Sequence, residues 1–173
     1  MPKSLVLTII GADRPGLVDA LSETVTHHGG NWLESRMSSM AEKFAGILLV
    51  SVSDEKAEAL TDALQQLASE GLKIVVEQST ASQKAESGYR VLSLELVGQD
   101  HPGIVKDISH ALASHEININ KLSTWCSDAS WSGETLFHAN AHLSVPQGVV
   151  TDDLRETLED LANELMVDIS LEE

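Results

Sequence analysis

Two short stretches hold the residues best suited to gripping a small charged molecule. Gly11-Ala12-Asp13-Arg14-Pro15-Gly16 runs into Leu17-Val18, and 87 positions later Gly98-Gln99-Asp100-His101-Pro102-Gly103 runs into Ile104-Val105. Each stretch lies between an apolar run and a helical pattern, so it leads into a helix start whose first N–H groups have no partner within the helix. Those donors, at the positive end of the helix dipole, suit a carboxylate or another small anion. Gly16 and Gly103 lack side chains, which lets a ligand approach the backbone. Asp13 and Asp100 have two chemical uses, capping the helix or pairing with a ligand's ammonium group. Asn31 and Asn118, again 87 apart, open the next strand, whose start is expected beside the loop. An amide there either binds one end of an amino acid or serves as a turn residue.

Other reactive side chains make weaker patterns. His27-His28 falls near a helix end, where a cationic ring is favourable without any metal. His138 and His142 share a strand face four residues apart, too distant for one ion to be chelated by that pair alone. Ser22 and Ser109 repeat beside apolar helical positions, which packing explains better than nucleophilic attack. Cys126 is the one cysteine, so an internal disulfide and a Cys-rich metal site are both excluded. There is no Walker loop, no HExxH and no GxSxG. No catalytic residue, metal or cofactor is expected.

The elements that must position the loops repeat with them. Leu5 to Ile10 is a nearly continuous apolar run stopped by Gly11, which reads as a buried strand. Asp13-Arg14-Pro15 opens a helix, with proline near its first position. Leu17, Val18, Leu21 and Val25 share one helical face, and Gly29-Gly30 ends it. Asn31–Met40 and Phe44–Val52 are strands, a helix from Asp54 or Glu55 carries Leu60, Leu64 and Leu67, and Leu72–Val76 closes the unit. Residues 81–88 form a polar linker. The second unit places strands at Arg90–Val97, Asn118–Cys126, Glu134–Val145 and Met166–Leu171, and helices at Pro102–His115 and Thr151–Leu165. Its helix stripe of Leu154, Leu158 and Leu161 lies 94 residues beyond the first, which puts seven extra residues around Ser127–Gly133. The expected class is α+β, two tandem ferredoxin-like βαββαβ domains at 1–80 and 89–173. Ile47 and Leu49 lie on the strand face away from the helices. Apolar residues there imply a cover, from the other copy or from a second chain in a homo-oligomer.

The formal charge of −16 divides as −5 over residues 1–80 and −11 over 81–173. Such a surface repels phosphate backbones, and three Trp, one Tyr and two Phe are too few for a base-stacking platform. Direct nucleic-acid binding is therefore not expected. No apolar run approaches the roughly 20 residues of a membrane span, and the first residues do not read as a signal peptide. The expectation is a cytoplasmic protein with no membrane partner.

Asp-x-Pro-Gly-[Leu/Ile]-Val after a strand, with Asn about fifteen residues later, resembles the ACT domain, a small regulatory module that binds amino acids. The resemblance covers nearly the whole chain as two copies. A tandem pair without a catalytic domain is similar to amino-acid-responsive repressors of transcription. It implies ligand sites at the junction between units, at Gly11 to Gly16 with Asn31 and at Gly98 to Gly103 with Asn118, sheets that join edge to edge, glycine as the first ligand to try, and action on a DNA-binding transcription regulator protein. Some amino-acid-binding ACT domains carry His and Asn where this chain has Gly11 and Asp13, or Gly98 and Asp100. The alternative function is a subunit that gives feedback control in trans to an amino-acid biosynthetic enzyme.

Overall fold

The computed structural model describes residues 1–79 and 88–173. They fall into two units, Met1–Lys84 and Ala85–Glu173. Of the linker expected at 81–88, only Gly88 lies within the described residues. Unit 1 runs β1 (Pro2–Ala12), α1 (Leu17–His27), β2 (Asn31–Met40), β3 (Lys43–Ser53), α2 (Asp54–Gln66) and β4 (Leu72–Gln78), with a 3₁₀ turn at Leu67–Glu70 after α2. Unit 2 runs β5 (Tyr89–Gln99), α3 (Ile104–Ser114), β6 (Asn118–Asp128), β7 (Thr135–Pro146), α4 (Thr151–Leu165) and β8 (Val167–Glu172). Both follow the expected βαββαβ order. The sheets are ordered β2-β3-β1-β4 and β6-β7-β5-β8, and every pairing is antiparallel.

Alternation along the central strands builds each core. In unit 1 Leu5, Leu7 and Ile9 turn to one side and pack with Leu17, Leu21, Val25, Leu60 and Leu64 from the helices. In unit 2 Leu92, Leu94 and Leu96 meet Ile104, Ile108, Leu112, Leu154 and Leu158. Each fully buried leucine contributes about 1.5–3 kcal/mol, so these residues outweigh any single polar contact. Two layers, one sheet and one pair of helices, enclose each core.

Both prolines stand before their helices rather than in the first turn. Helix α1 begins at Leu17 and α3 at Ile104, with Gly16 and Gly103 as N-caps at φ 90° and 97°. That left-handed backbone disfavours any residue with a Cβ. Space is not the reason at Gly16, where an added Cβ would meet nothing within 4 Å.

The hairpins differ. Ala41 and Glu42 close β2–β3 at φ 48° and 63°, the paired positive values that match the twist of the flanking strands. In unit 2 the corresponding loop spans residues 129–134 between Asp128 and its partner Thr135. Phe44 lies opposite Gly11 and Phe137 opposite Gly98, so the spacing between the copies rises from 87 to 93 across this hairpin. Six of the seven extra residues sit there. The seventh lies between β7 and α4, because helical periodicity cannot locate an insertion between a strand and the next helix.

The side of each sheet away from its helices divides the units further. On unit 1, Ile10 is 46%, Ile47 49% and Val75 46% exposed, and Leu49 is half-buried. On unit 2 the same side carries Glu95, His138, Asn140, His142 and Asp168.

Candidate functional site

The β1–α1 and β5–α3 loops lie open to solvent. Gly11 and Gly98 are half-buried at their strand ends, Ala12 to Gly16 are exposed, and so are Gln99, Asp100, Pro102 and Gly103. Each loop is fixed at the aspartate's backbone, not its side chain. Asp13 N–H donates to Glu42 O at 2.9 Å, and Asp100 N–H to Thr135 O at 2.9 Å. Neither helix has a side-chain cap, so capping is not the work of Asp13 or Asp100. Their exposed carboxylates stay free for a cationic group, beside helix N–H groups open to an anionic one.

Arg14 and His101, expected to line the ligand site, turn elsewhere. The Arg14 guanidinium donates to Glu70 O, and His101 Nε2 lies 3.1 Å from Leu165 O. Glu70 and Leu165 are equivalent carbonyls, each two residues before the partner of Gly11 or Gly98 in the last strand. One loop side chain therefore ties the loop to the end of the second helix segment in both units. In unit 2 the other ring nitrogen, Nδ1, lies 3.1 Å from Pro102 O. A neutral imidazole has one N–H and donates to one of these carbonyls at a time. The sequence held a signal for this tether: a side chain with N–H donors at the same position of both repeats.

Asn31 and Asn118 do not join their loops within a unit. Asn31 pairs with Ser51, and Ser51 with Ser4, at the start of β1. The loop leaves the other end, after Gly11. Seven residues of strand separate them, roughly 23 Å at the rise of an extended chain. Asn118 pairs with Ser144, opposite Val91 and just as far from Gly98. The adjacency expected within one unit does not hold, because the helix returns the chain to the beginning of the central strand before the next strand starts. Asn118 Nδ2 donates to Asn120 Oδ1 at 2.7 Å, and Asn120 Nδ2 to Ser144 Oγ at 2.6 Å, beside a bulge at residue 120.

Electrostatics separate two loops of like shape. The third residue of α1 is Asp19, and its equivalent in α3 is Lys106. A carboxylate at the helix start meets a like charge in unit 1 and, in unit 2, an opposite charge beside Asp107, which also stands in the first turn of α3. The first turn of α3 thus repels an anion less than that of α1. Among the described residues, no three His, Cys, Asp or Glu side chains are placed to hold a metal ion, and no helix is long and apolar enough to cross a membrane.

Known proteins share this arrangement. Residues 3–77 and residues 92–163 each match the ACT domain. The chain is 25% identical over 162 residues to the glycine cleavage system transcriptional repressor of Escherichia coli (strain K12), covering 93% of this chain and 85% of that one. A UPF0237 protein of Methanococcus maripaludis is 32% identical over 78 residues, 43% of this chain and 87% of its own. The crystal structure of an unknown protein from Galdieria sulphuraria superposes with a TM-score of 0.88 at 28% identity, covering 99% of this chain and 98% of that chain. A structure provisionally assigned as a glycine cleavage system transcriptional repressor superposes with a TM-score of 0.70 at 23% identity, over 99% and 96% of the two chains. The repeated loop, the two antiparallel sheets and these matches agree: the chain belongs to the ACT-domain family, as two ACT domains in tandem.

Proposed function

We propose that the chain is a non-enzymatic cytoplasmic regulator. It binds an amino acid, glycine first among them, and in response changes its association with a DNA-binding activator of transcription. The observation that carries this reading is the doubled loop: in each unit an uncapped helix start stands beside an exposed aspartate. An amino acid offers the complementary pair, a carboxylate for the N–H groups of α1 or α3 and an ammonium for Asp13 or Asp100. Likeness to the repressor over 93% of the chain supports a role in regulation. The acidic surface directs that role toward a protein partner and away from DNA. Control then follows from differential affinity, with the ligand favouring whichever form of the chain binds the activator differently. The apolar outer face of unit 1, with Ile10, Ile47 and Val75, supports self-association as part of the active state.

Calorimetric titration with each amino acid, beside capture of partners from extract with and without glycine, tests the reading. Heat with glycine and a glycine-dependent DNA-binding protein are expected. No heat with any amino acid removes the sensor, and recovery of a biosynthetic enzyme in place of a DNA-binding protein moves the chain to feedback control in trans.

A further inference from the structure

The sheet face of unit 2 away from α3 and α4 carries a trough of ≈ 400 Å³ with no counterpart in unit 1's sequence. The strand register builds it. His138 and Asp168 both pair with Val97, one from β7 and one from β8, so they stand as walls about 10 Å apart in backbone over a valine floor. Trp125, opposite His138 on β6, stacks on its ring with centroids 5.0 Å apart and planes 2° from parallel. Ser127 Oγ lies 2.7 Å from His138 Nε2 and steadies that ring. Glu95 and Asn140 close the next row. Trp125 is 46% exposed, and both carboxylates are exposed.

At the corresponding register positions unit 1 has Ser38 for Trp125, Ala45 for His138, Thr8 for Glu95 and Lys73 for Asp168. The aromatic group and both acids are particular to the second copy, so the fold alone does not require them.

We propose that this trough receives an arginine side chain of a partner protein. A guanidinium is planar, weakly hydrated and always charged; it stacks against aromatic rings and pairs its fork with carboxylates. The trough supplies both, a held ring stack on one side and Asp168 with Glu95 on the other. Among the described residues, no Lys or Arg lines it, and the nearest cation on the face is Lys121, two rows along β6 from Trp125 and paired with His142. The lining comes from one sheet face alone and its Trp125 is 46% exposed, which suits a side chain projecting from a large surface better than a free metabolite needing enclosure. Unit 2 also holds the larger share of the net charge, −12 of −16, which draws a basic partner toward it. The inference goes beyond the amino-acid response and stands whether or not the loops bind glycine.

The test uses the full chain and a capped Gly-Arg-Gly-Arg-Gly peptide, followed by NMR at the indole N–H of Trp125. A saturable shift is expected, weaker by at least about tenfold in the E95Q/D168N double variant; Trp125→Ala, which lacks the indole, is followed at the backbone amide of His138 and is expected to bind several-fold more weakly. D152N/D153N removes the same charge from α4 and is expected to change affinity less than about twofold. Circular dichroism checks that each variant stays folded. Equal losses in the two double variants, an unmoved Trp125 signal, or equal binding of a capped Gly-Lys-Gly-Lys-Gly peptide would overturn the proposal. Free arginine binding as tightly as the peptide would also overturn it, by making the trough a small-molecule site.

Discussion

Unit 1 and unit 2 bury nearly the same lattice of side chains, yet present opposite surfaces on the far sides of their sheets. Leu7 and Leu94, Val25 and Leu112, Leu60 and Leu154 occupy matching buried positions. Away from the helices, Ile47 in unit 1 becomes Asn140 in unit 2, Val75 becomes Ser170 and Lys73 becomes Asp168. The loops show the same division, with a shared glycine at positive φ and a charge reversal from Asp19 to Lys106 one turn on. Duplication kept what folding requires and released what faces a partner. In the sheets, residues that agree between the copies report on architecture, and residues that disagree report on role.

The largest effect expected from breaking this comparison lies in the core. Unit 1 has Leu48, 1% exposed, where unit 2 has Ala141 beside a cavity of ≈ 20 Å³. Leu48→Ala is expected to cost about 2–5 kcal/mol, read from chemical denaturation. A loss below about 1 kcal/mol would mean that the two cores are packed interchangeably. Next come the shared glycines: Gly16→Ala and Gly103→Ala should each cost about 1–2 kcal/mol, since both stand in left-handed backbone. A neutral result at either position would show that its loop relaxes to another conformation.

The tethers follow in size. Arg14→Ala and His101→Ala are each expected to remove roughly 0.5–1 kcal/mol of local stability, seen as faster amide exchange at Asp13–Gly16 or Asp100–Gly103. His101→Arg should retain protection, because it restores the donor unit 1 already uses. If alanine leaves exchange unchanged, the contact to Glu70 or Leu165 is incidental. The smallest effect is electrostatic. Exchanging the charges, Asp19→Lys with Lys106→Asp, should move preference for a carboxylate ligand from unit 2 to unit 1 by about 0.3–1 kcal/mol per site. Calorimetry at two salt concentrations checks this, since the difference should shrink as ionic strength rises.

Much of the fold was legible because alternation and helical spacing are written directly in apolar residues. Leu5, Leu7 and Ile9 specify a strand with one buried side, and Leu17, Leu21 and Val25 a helix against it. The helix starts were read too early, because proline tolerates the first turn but equally precedes it, and only φ at Gly16 and Gly103 distinguishes the two. The site was half legible. Its loops followed from repetition, whereas Asn31 was misplaced because strand direction, not sequence proximity, decides which ends meet. The turn of Arg14 and His101 toward helix carbonyls depends on a contact across 56 or 64 residues; the repeat marks the two donors but no local pattern names their acceptors.

That long-range contact gives each loop a mechanical reach. Glu70 and Leu165 end the segments that feed the last strand of each sheet, and β4 and β8 are the outermost strands on their side. A metabolite that drew Arg14 or His101 away from its carbonyl would slacken the anchor of a sheet rim while leaving the buried leucines untouched. The rim is where a small molecule's arrival would first be felt at a distance.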